Sequence, residues 1–455
     1  MRFLIIGGSD AGIAAGLRAH ELDPSCDITL VLADEFPNYS ICGLPFYLSG
    51  ETPDWHSLAH RTEFPSITLL PSHTAERIDP KIKTVQVRHK DGNEVELAYD
   101  KLLIGTGARP VRPSIEGFDL PGVFPLHTME DSFAVHRFLD ERQPKSTVIV
   151  GAGYIGLEMA DALTHRGIHV RIASRTERIL ATVDPSLGEH VEAEMQKHGV
   201  EVFNRVEISS IASSGDQLTV LGTSGFAATA DLVLVAVGVR PNSELGVAAG
   251  ITTGAKGALQ VNRHMETNLP DVYAAGDCVE TWHRLLNRNT YLPLGTTAHK
   301  QGRTAAENAL GHTREFAGSL GTQVVKLFDI VAARTGLRED EALKAGFAPF
   351  TVETTVWDHK AYYPGARELR LRVTGDQQTG KLLGAQLLGH KQSEVSKRVD
   401  VFATALFHRM DVEELNELDL SYTPPLSSPW DPIQMAAQAW TRALSAAQST
   451  SQQTA

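Results

Sequence analysis

The sequence predicts an α/β protein, with two nested, doubly wound parallel sheets and a separate C-terminal α+β domain. Three observations predict it. A β-branched apolar run, a glycine cluster and a helical pattern occur in that order twice, at Arg2 to Leu22 and at Thr147 to Arg166. Each is followed by another strand-like run, Ile28 to Leu32 and His169 to Ala173, which completes the opening βαβ unit of a parallel sheet. From about Thr322 the pattern changes to strands (Thr322 to Phe328, Phe350 to Trp357, Leu369 to Val373, Leu382 to Leu388) and then to helical periodicity over Ser393 to Arg409.

At 455 residues the chain exceeds what one core can serve, since cores stop growing near roughly 250–300 residues. Two parallel phrases mark where it crosses between nested domains. Lys101-Leu-Leu-Ile-Gly-Thr106-Gly107-Ala-Arg-Pro110 and Asp231-Leu-Val-Leu-Val-Ala-Val-Gly238-Val-Arg-Pro241 each read as a buried strand ending in a glycine turn. The expected division is residues 1–111 with 244–321, an inserted domain over 112–243, a C-terminal domain over 322–442, and a disordered, Ser/Gln/Thr/Ala-rich tail over 443–455. The net charge of −13 is scattered, and no Lys/Arg-rich run offers a nucleic-acid surface. No apolar run approaches the roughly 20 residues that cross a bilayer. Met1 to Ile6 runs straight into a glycine turn and reads as a strand rather than a signal peptide. Cys26, Cys42 and Cys278 are too few and too scattered for a disulfide framework, so a reducing, cytoplasmic setting is expected.

The turn Gly151-Ala152-Gly153-Tyr154-Ile155-Gly156 has the spacing that lets a backbone close tightly, approach a pyrophosphate and pack helix on strand. This is the Rossmann-like pattern of a dinucleotide site. Where an NAD site would place an acid on the ribose, at the end of the next strand, the chain has Ser174 with Arg175 and Arg178 beside it. A hydroxyl and two guanidiniums suit a 2′-phosphate, so NADPH is expected over NADH. The first turn, Gly7-Gly8-Ser9-Asp10-Ala11-Gly12, carries serine in place of the middle glycine. It is supported by Thr267 to Asp277, a strand ending Ala-Ala-Gly276-Asp277, where small residues admit a ribityl chain and Asp277 can accept its hydroxyls. Together they predict FAD, with Asp34, or its competitor Glu35, on the adenosine ribose. Thr106, Gly107 and Gly238 fall at strand ends lining the two sites.

Cys42 follows in Ser40-Ile41-Cys42-Gly43-Leu44-Pro45, near the start of a new helix for which Pro45 suits the first turn. Helix-end N–H groups are expected to lower its pKa and favour the thiolate, the species that attacks disulfides. A dithiol enzyme would carry a second cysteine five positions on, where this chain has Tyr47. Cys42 must then work alone, as a mixed disulfide, a persulfide or a sulfenic acid. Cys26 and Cys278 read as structural.

These motifs, with Asp419-Leu-Ser-Tyr422-Thr-Pro-Pro-Leu-Ser-Ser-Pro-Trp-Asp-Pro432, resemble the single-cysteine branch of the pyridine nucleotide-disulfide oxidoreductases: coenzyme A-disulfide reductases, NADH oxidases and NADH peroxidases. The resemblance covers nearly the whole chain. It implies that the C-terminal domain is the interface of a homodimer and that Tyr422 projects towards the partner's cysteine. Ala361-Tyr362-Tyr363-Pro364-Gly365 is similar to a phrase of the coenzyme A-disulfide reductases, and Tyr362 would donate a proton to a departing thiolate. Asp10 stands where the peroxidases carry histidine, and His20-Glu21 replaces a basic pair found in the reductases. Arg18, Arg61 and Ser40 remain as substrate-binding candidates. The implied reaction passes a hydride from NADPH to FAD and then electrons through Cys42 to a small disulfide or persulfide, coenzyme A adducts first. An oxidase or peroxidase using a Cys42 sulfenic acid, and a reductase feeding a protein electron acceptor, are the alternatives.

Overall fold

The computed structural model describes residues 1–59 and 61–453. Its first sheet is all parallel, in the spatial order Val272–Ala274, Lys101–Ile104, Arg2–Ile6, Asp27–Val31, Thr68–Leu70. The strand order reverses between Arg2–Ile6 and Lys101–Ile104. That reversal opens a crevice beyond the strand ends, the place where doubly wound sheets bind ligands. The second sheet repeats the plan with Glu201–Asn204, His169–Ser174, Ser146–Val150, Leu232–Val235 and Val123–Pro125, again all parallel. Strands buried on both faces need continuous apolar runs, and Phe3 to Ile6 and Val148 to Val150 supply them.

The repeat extends further than the glycine turns. Each parallel sheet interposes a three-stranded antiparallel meander before a strand that pairs with its central one, 73–98 before Lys101–Ile104 and 208–230 before Leu232–Val235. The two crossing segments, Ala108–Pro110 and Val239–Pro241, pair antiparallel with Arg109 opposite Arg240. Thr106 Oγ1 donates to the Asn242 carbonyl at 2.6 Å, and Arg109 Nη1 donates to Asn242 Oδ1 at 3.3 Å, fastening the same ribbon.

The C-terminal sheet is antiparallel, ordered Gln323–Leu327, Ile330–Gly336, Leu382–His390, Glu368–Asp376, Pro349–Trp357. The helices Val395–Phe407 and Pro432–Gln453 pack on it through Val399, Phe402, Ile433, Ala437 and Trp440. The tail expected to be disordered from residue 443 is helical through Gln453. Its hydroxyls are satisfied inside the helix, where Ser445 Oγ donates to the Thr441 carbonyl and Ser449 Oγ to that of Ser445. The last two residues of the expected tail lie outside the described residues. Among the described residues no helix is long and apolar enough to cross a membrane.

Candidate active site

Both glycine turns sit at the C-terminal ends of the central strands and open directly into helices, Asp10–Leu22 and Tyr154–His165. Gly7 has φ +114°, and a Cβ there would lie 2.0 Å from the Gly105 carbonyl oxygen. Gly12 is as confined, 1.9 Å from the Gly7 carbonyl oxygen. The middle position differs. Gly153 has φ −82°, and an added Cβ meets nothing within 4 Å. Ser9, its counterpart, is extended at φ −101°, so a serine fits where the sequence pattern favours glycine. Gly8 and Ala11 complete the first turn, with Ala11 buried.

Added carbons at Gly107 and Gly238 would also meet nothing within 4 Å. The backbone there faces open space beyond the strand ends, as a bound dinucleotide requires. Gly276 and Asp277 close the first crevice. Burial pushes the Asp277 carboxyl up to about 6, with Asp10 adding to the shift. Two residues that sequence reasoning missed hold this turn. Fully buried Gln301 accepts from the Gly276 amide at 2.9 Å, and Tyr291 donates to the Asp277 carbonyl at 3.0 Å. Of the two ribose candidates, Glu35 is committed to Ser72 Oγ at 2.9 Å and to Lys90. Asp34 Oδ1 accepts only the nearby Phe36 amide among its side-chain hydrogen bonds. This donor and acceptor set fits FAD.

In the second site, Ser174 is buried at the end of its strand and its Oγ lies 2.7 Å from Thr176 Oγ1. The Arg175 side chain is 81% exposed, with its nearest carboxylate, Glu207, at 4.0 Å. Arg178 is occupied: it pairs with Glu189 at 2.9 Å and Glu192 at 3.9 Å. Tyr154 accepts from Thr182 Oγ1 at 3.2 Å, and Ile155 packs against the core beneath it. The site therefore fits a nicotinamide dinucleotide and presents no acid at the strand end to repel a 2′-phosphate.

Cys42 lies in a short 3₁₀ turn, Ile41–Gly43, that leads into the helix Leu44–Ser49. Ser40 precedes it, and the Ser40 amide donates to the Leu58 carbonyl at 3.0 Å. Six residues cannot hold a helix alone. Burial of Leu44, Tyr47 and Leu48 against Leu157 and Ala160 of the second glycine-turn helix, and near Val325 and Leu327, anchors it. Tyr47 fills the place of a second thiol and stacks on His136, with ring centroids 4.8 Å apart. Phe36 and Tyr39, on the loop before the cysteine, form an aromatic cluster with Trp55 and with Phe133 of the helix Met129–Arg142.

Cys42 is exposed to solvent, yet protein encloses it on its other sides and burial raises its pKa. The Glu158, Asp10 and Asp277 carboxylates raise it further. The expected lowering by a helix end is not met: burial raises the thiol most, and the charges of Glu158, Asp10 and Asp277 act in the same direction. Glu158 was not singled out in the sequence. Burial, with Asp161 adding and Lys326 opposing, pushes its carboxyl up to about 7. Cys278 is fully buried and Cys26 is buried against the Met1 carbonyl.

Arg18 is held by Glu307 at 2.8 Å and Glu21 at 2.9 Å. Arg61 is exposed, bonds the Glu63 carbonyl at 3.0 Å and lies over Phe64. Tyr362 and Tyr422 stand 74% and 44% exposed on the C-terminal domain.

Two dinucleotide folds around one accessible cysteine, with an appended antiparallel domain, define a nucleotide-dependent redox architecture. The sequence model described as pyridine nucleotide-disulphide oxidoreductase matches residues 1–302, and that of the family's dimerisation domain matches residues 322–432. The chain belongs to this family and is an oxidoreductase. It is 35% identical to an NAD(P)H sulfur oxidoreductase (CoA-dependent) of Pyrococcus abyssi, over 96% of this chain and 97% of that one. It is 31% identical to a coenzyme A disulfide reductase of Staphylococcus haemolyticus, over 95% and 98%. The structure of reduced Bacillus anthracis CoADR-RHD superposes with a TM-score of 0.95 at 30% identity, covering 98% of this chain and 81% of that one.

Proposed function

We propose that the protein is an FAD-dependent, homodimeric NAD(P)H oxidoreductase that reduces small disulfides or persulfides through Cys42, with coenzyme A derivatives as the leading substrates. One observation carries this reading: a single accessible thiol lies by the flavin-type crevice, with Tyr47 packed where a second thiol would be. The names of the relatives point to the same substrates.

Bound FAD would supply the two-electron relay between nicotinamide and sulfur. The chain's own residues do the rest. The Cys42 thiolate attacks one sulfur of the substrate disulfide, forming a mixed disulfide and releasing one thiolate. Two electrons from NADPH then cleave the mixed disulfide, returning the Cys42 thiolate and releasing the second thiol. One NADPH and one proton are consumed for two thiols formed. Tyr362 and Tyr422, reaching from the partner subunit, would protonate and hold the departing sulfur. Asp34 and Asp277 would hold hydroxyls of the flavin cofactor, and Ser174 with Arg175 would read the 2′-phosphate. Arg178 and Arg18 are weaker candidates, since each is already paired with carboxylates. A cytoplasmic location accords with a free working thiol.

The test is an anaerobic titration of the yellow protein with NADPH and with NADH, followed by coenzyme A disulfide, a persulfide or cystine. A long-wavelength band from the Cys42 thiolate, discharged by one of these, is the expected result. Reduction without that band, reversed only by oxygen or by an electron carrier, would favour the oxidase or electron-transfer reading.

A further inference from the structure

Arg398 sits on the helix Val395–Phe407 and is only 7% exposed. Its guanidinium makes four hydrogen bonds, three of them to two loops. Nη2 donates to the Asp358 carbonyl at 2.7 Å and to the Leu426 carbonyl at 3.1 Å. Nη1 donates to Asp431 Oδ2 at 3.2 Å, and Nε to the Ser393 carbonyl at 3.1 Å. Asp358 opens the loop that carries Tyr362, while Leu426 and Asp431 lie on the segment that follows Tyr422.

Further contacts brace each loop, and those of Lys360 join the two. Ser393 Oγ donates to Asp358 Oδ2 and Ser427 Oγ to Asp431 Oδ2, both at 2.6 Å. The Lys360 amide donates to the Pro424 carbonyl at 3.4 Å, and the Lys360 ammonium lies over the Trp430 ring, 5.1 Å from its centroid. Both tyrosines thus project into solvent from a base that is buried and hydrogen-bonded.

A buried arginine–carboxylate pair is a poor device for stability, because desolvating two charges offsets most of their attraction. Its distinctive property is geometry, since a planar fork fixes several acceptors at set angles. We propose that Arg398 is a positioning residue that locks the two tyrosine-bearing loops into one rigid unit, so that Tyr362 and Tyr422 reach the partner subunit's Cys42 with a fixed spacing. This rests on the reading that the tyrosines serve that cysteine. A displacement of about 1 Å in such a group can cost on the order of 100-fold in rate.

The experiment compares Arg398→Lys with Tyr362→Phe, Tyr422→Phe and the Arg398→Lys/Tyr422→Phe double variant, all as FAD-loaded protein. Arg398→Lys keeps the charge and loses the fork. It is expected to lower kcat for disulfide reduction by about 10-fold or more, with flavin reduction by NADPH unchanged. Adding Tyr422→Phe should then cost less than it does in the parent protein, because the two changes act through one group. Amide hydrogen exchange in 359–366 and 420–426 should quicken together.

Full disulfide turnover in Arg398→Lys, additive effects in the double variant, or faster exchange in one loop alone would overturn the proposal. If both single tyrosine variants turn over disulfide normally, the underlying reading fails instead. Asp431→Asn, which keeps the side-chain size while removing the charge facing Arg398, makes the same comparison if Arg398→Lys does not fold.

Discussion

In the proposed reaction Cys42 is the residue on which the chemistry turns, and its surroundings set a problem. Burial and three nearby carboxylates disfavour the thiolate, so the protein gains little reactivity from the helix it precedes. Cys42→Ser is expected to retain the yellow colour of bound FAD, lose the long-wavelength band, and reduce disulfide turnover by at least about 100-fold. Undiminished turnover would remove Cys42 from the reaction. Glu158 gives a second residue-scale prediction. Its carboxyl, at about 7 when folded against an ordinary 4.5, makes the folded chain bind more protons than the unfolded chain between those values. Its contribution to stability is present below about 4.5 and is lost as pH rises through 7. At about 1.4 kcal/mol per unit this amounts to at most roughly 3 kcal/mol. Glu158→Gln should therefore flatten the decline in denaturation midpoint between pH 5 and 8, and an unchanged slope would show that Glu158 does not titrate there.

Cys42 was legible in the sequence because its neighbours form a contiguous phrase. Glu158 was not, because its environment is assembled from Asp161 and Lys326, the latter far away in sequence. The commitment of Arg178 to Glu189 and of Arg18 to Glu307 was hidden for the same reason.

At the scale of elements, the glycine turns show why pattern matching both succeeds and overstates its rules. Gly7 and Gly12 are required by carbonyl oxygens within about 2 Å of any added carbon, as the positions 2.0 and 1.9 Å away make plain. The middle position is open, which is why Ser9 is harmless. Gly7→Ala should lose FAD and cost roughly 2 kcal/mol or more of stability, from a left-handed φ together with a backbone clash. Ser9→Gly should keep both. Flavin absorbance after gel filtration and a thermal melt decide the pair; retention of FAD by Gly7→Ala would sink the steric argument.

The elements that escaped the sequence reading are short or polar. The strands of the 73–98 meander are short and mostly polar, and the sequence reading passed over the alternation of Val85 and Val87 that marks one of them. The tail was misjudged because its composition is polar. The helix is nucleated instead by Ile433, Ala436, Ala437 and Trp440, packed upstream, and then propagates through helix-forming alanines.

At the scale of the whole molecule, the two dinucleotide folds are complete within one chain, but the tyrosines assigned to the sulfur site stand exposed on the C-terminal domain. The C-terminal domain also exposes Trp357, Tyr362, Tyr363, Leu426, Trp430 and Met435, more large apolar surface than a lone chain usually leaves in water. The proposed homodimer, with a second copy of the chain seated on that face, would account for both. The fold class was readable in the sequence through its repeat, whereas the proposed dimer rests on resemblance, because a surface formed from two loops and a helix start has no period along the chain.

Leu426 tests this, being 58% exposed on the segment that follows Tyr422. Leu426→Glu would bury an unpaired carboxylate in the interface, at a cost of several kcal/mol for each of its two symmetric copies. Sedimentation should then show a monomer. That monomer should still bind FAD and still be reduced by NADPH, since both nucleotide crevices lie within one chain, but its disulfide turnover should fall with the dimer fraction. A monomer that reduces disulfide at the full rate would mean that each chain completes its own sulfur site, and the tyrosines would lose their assigned role.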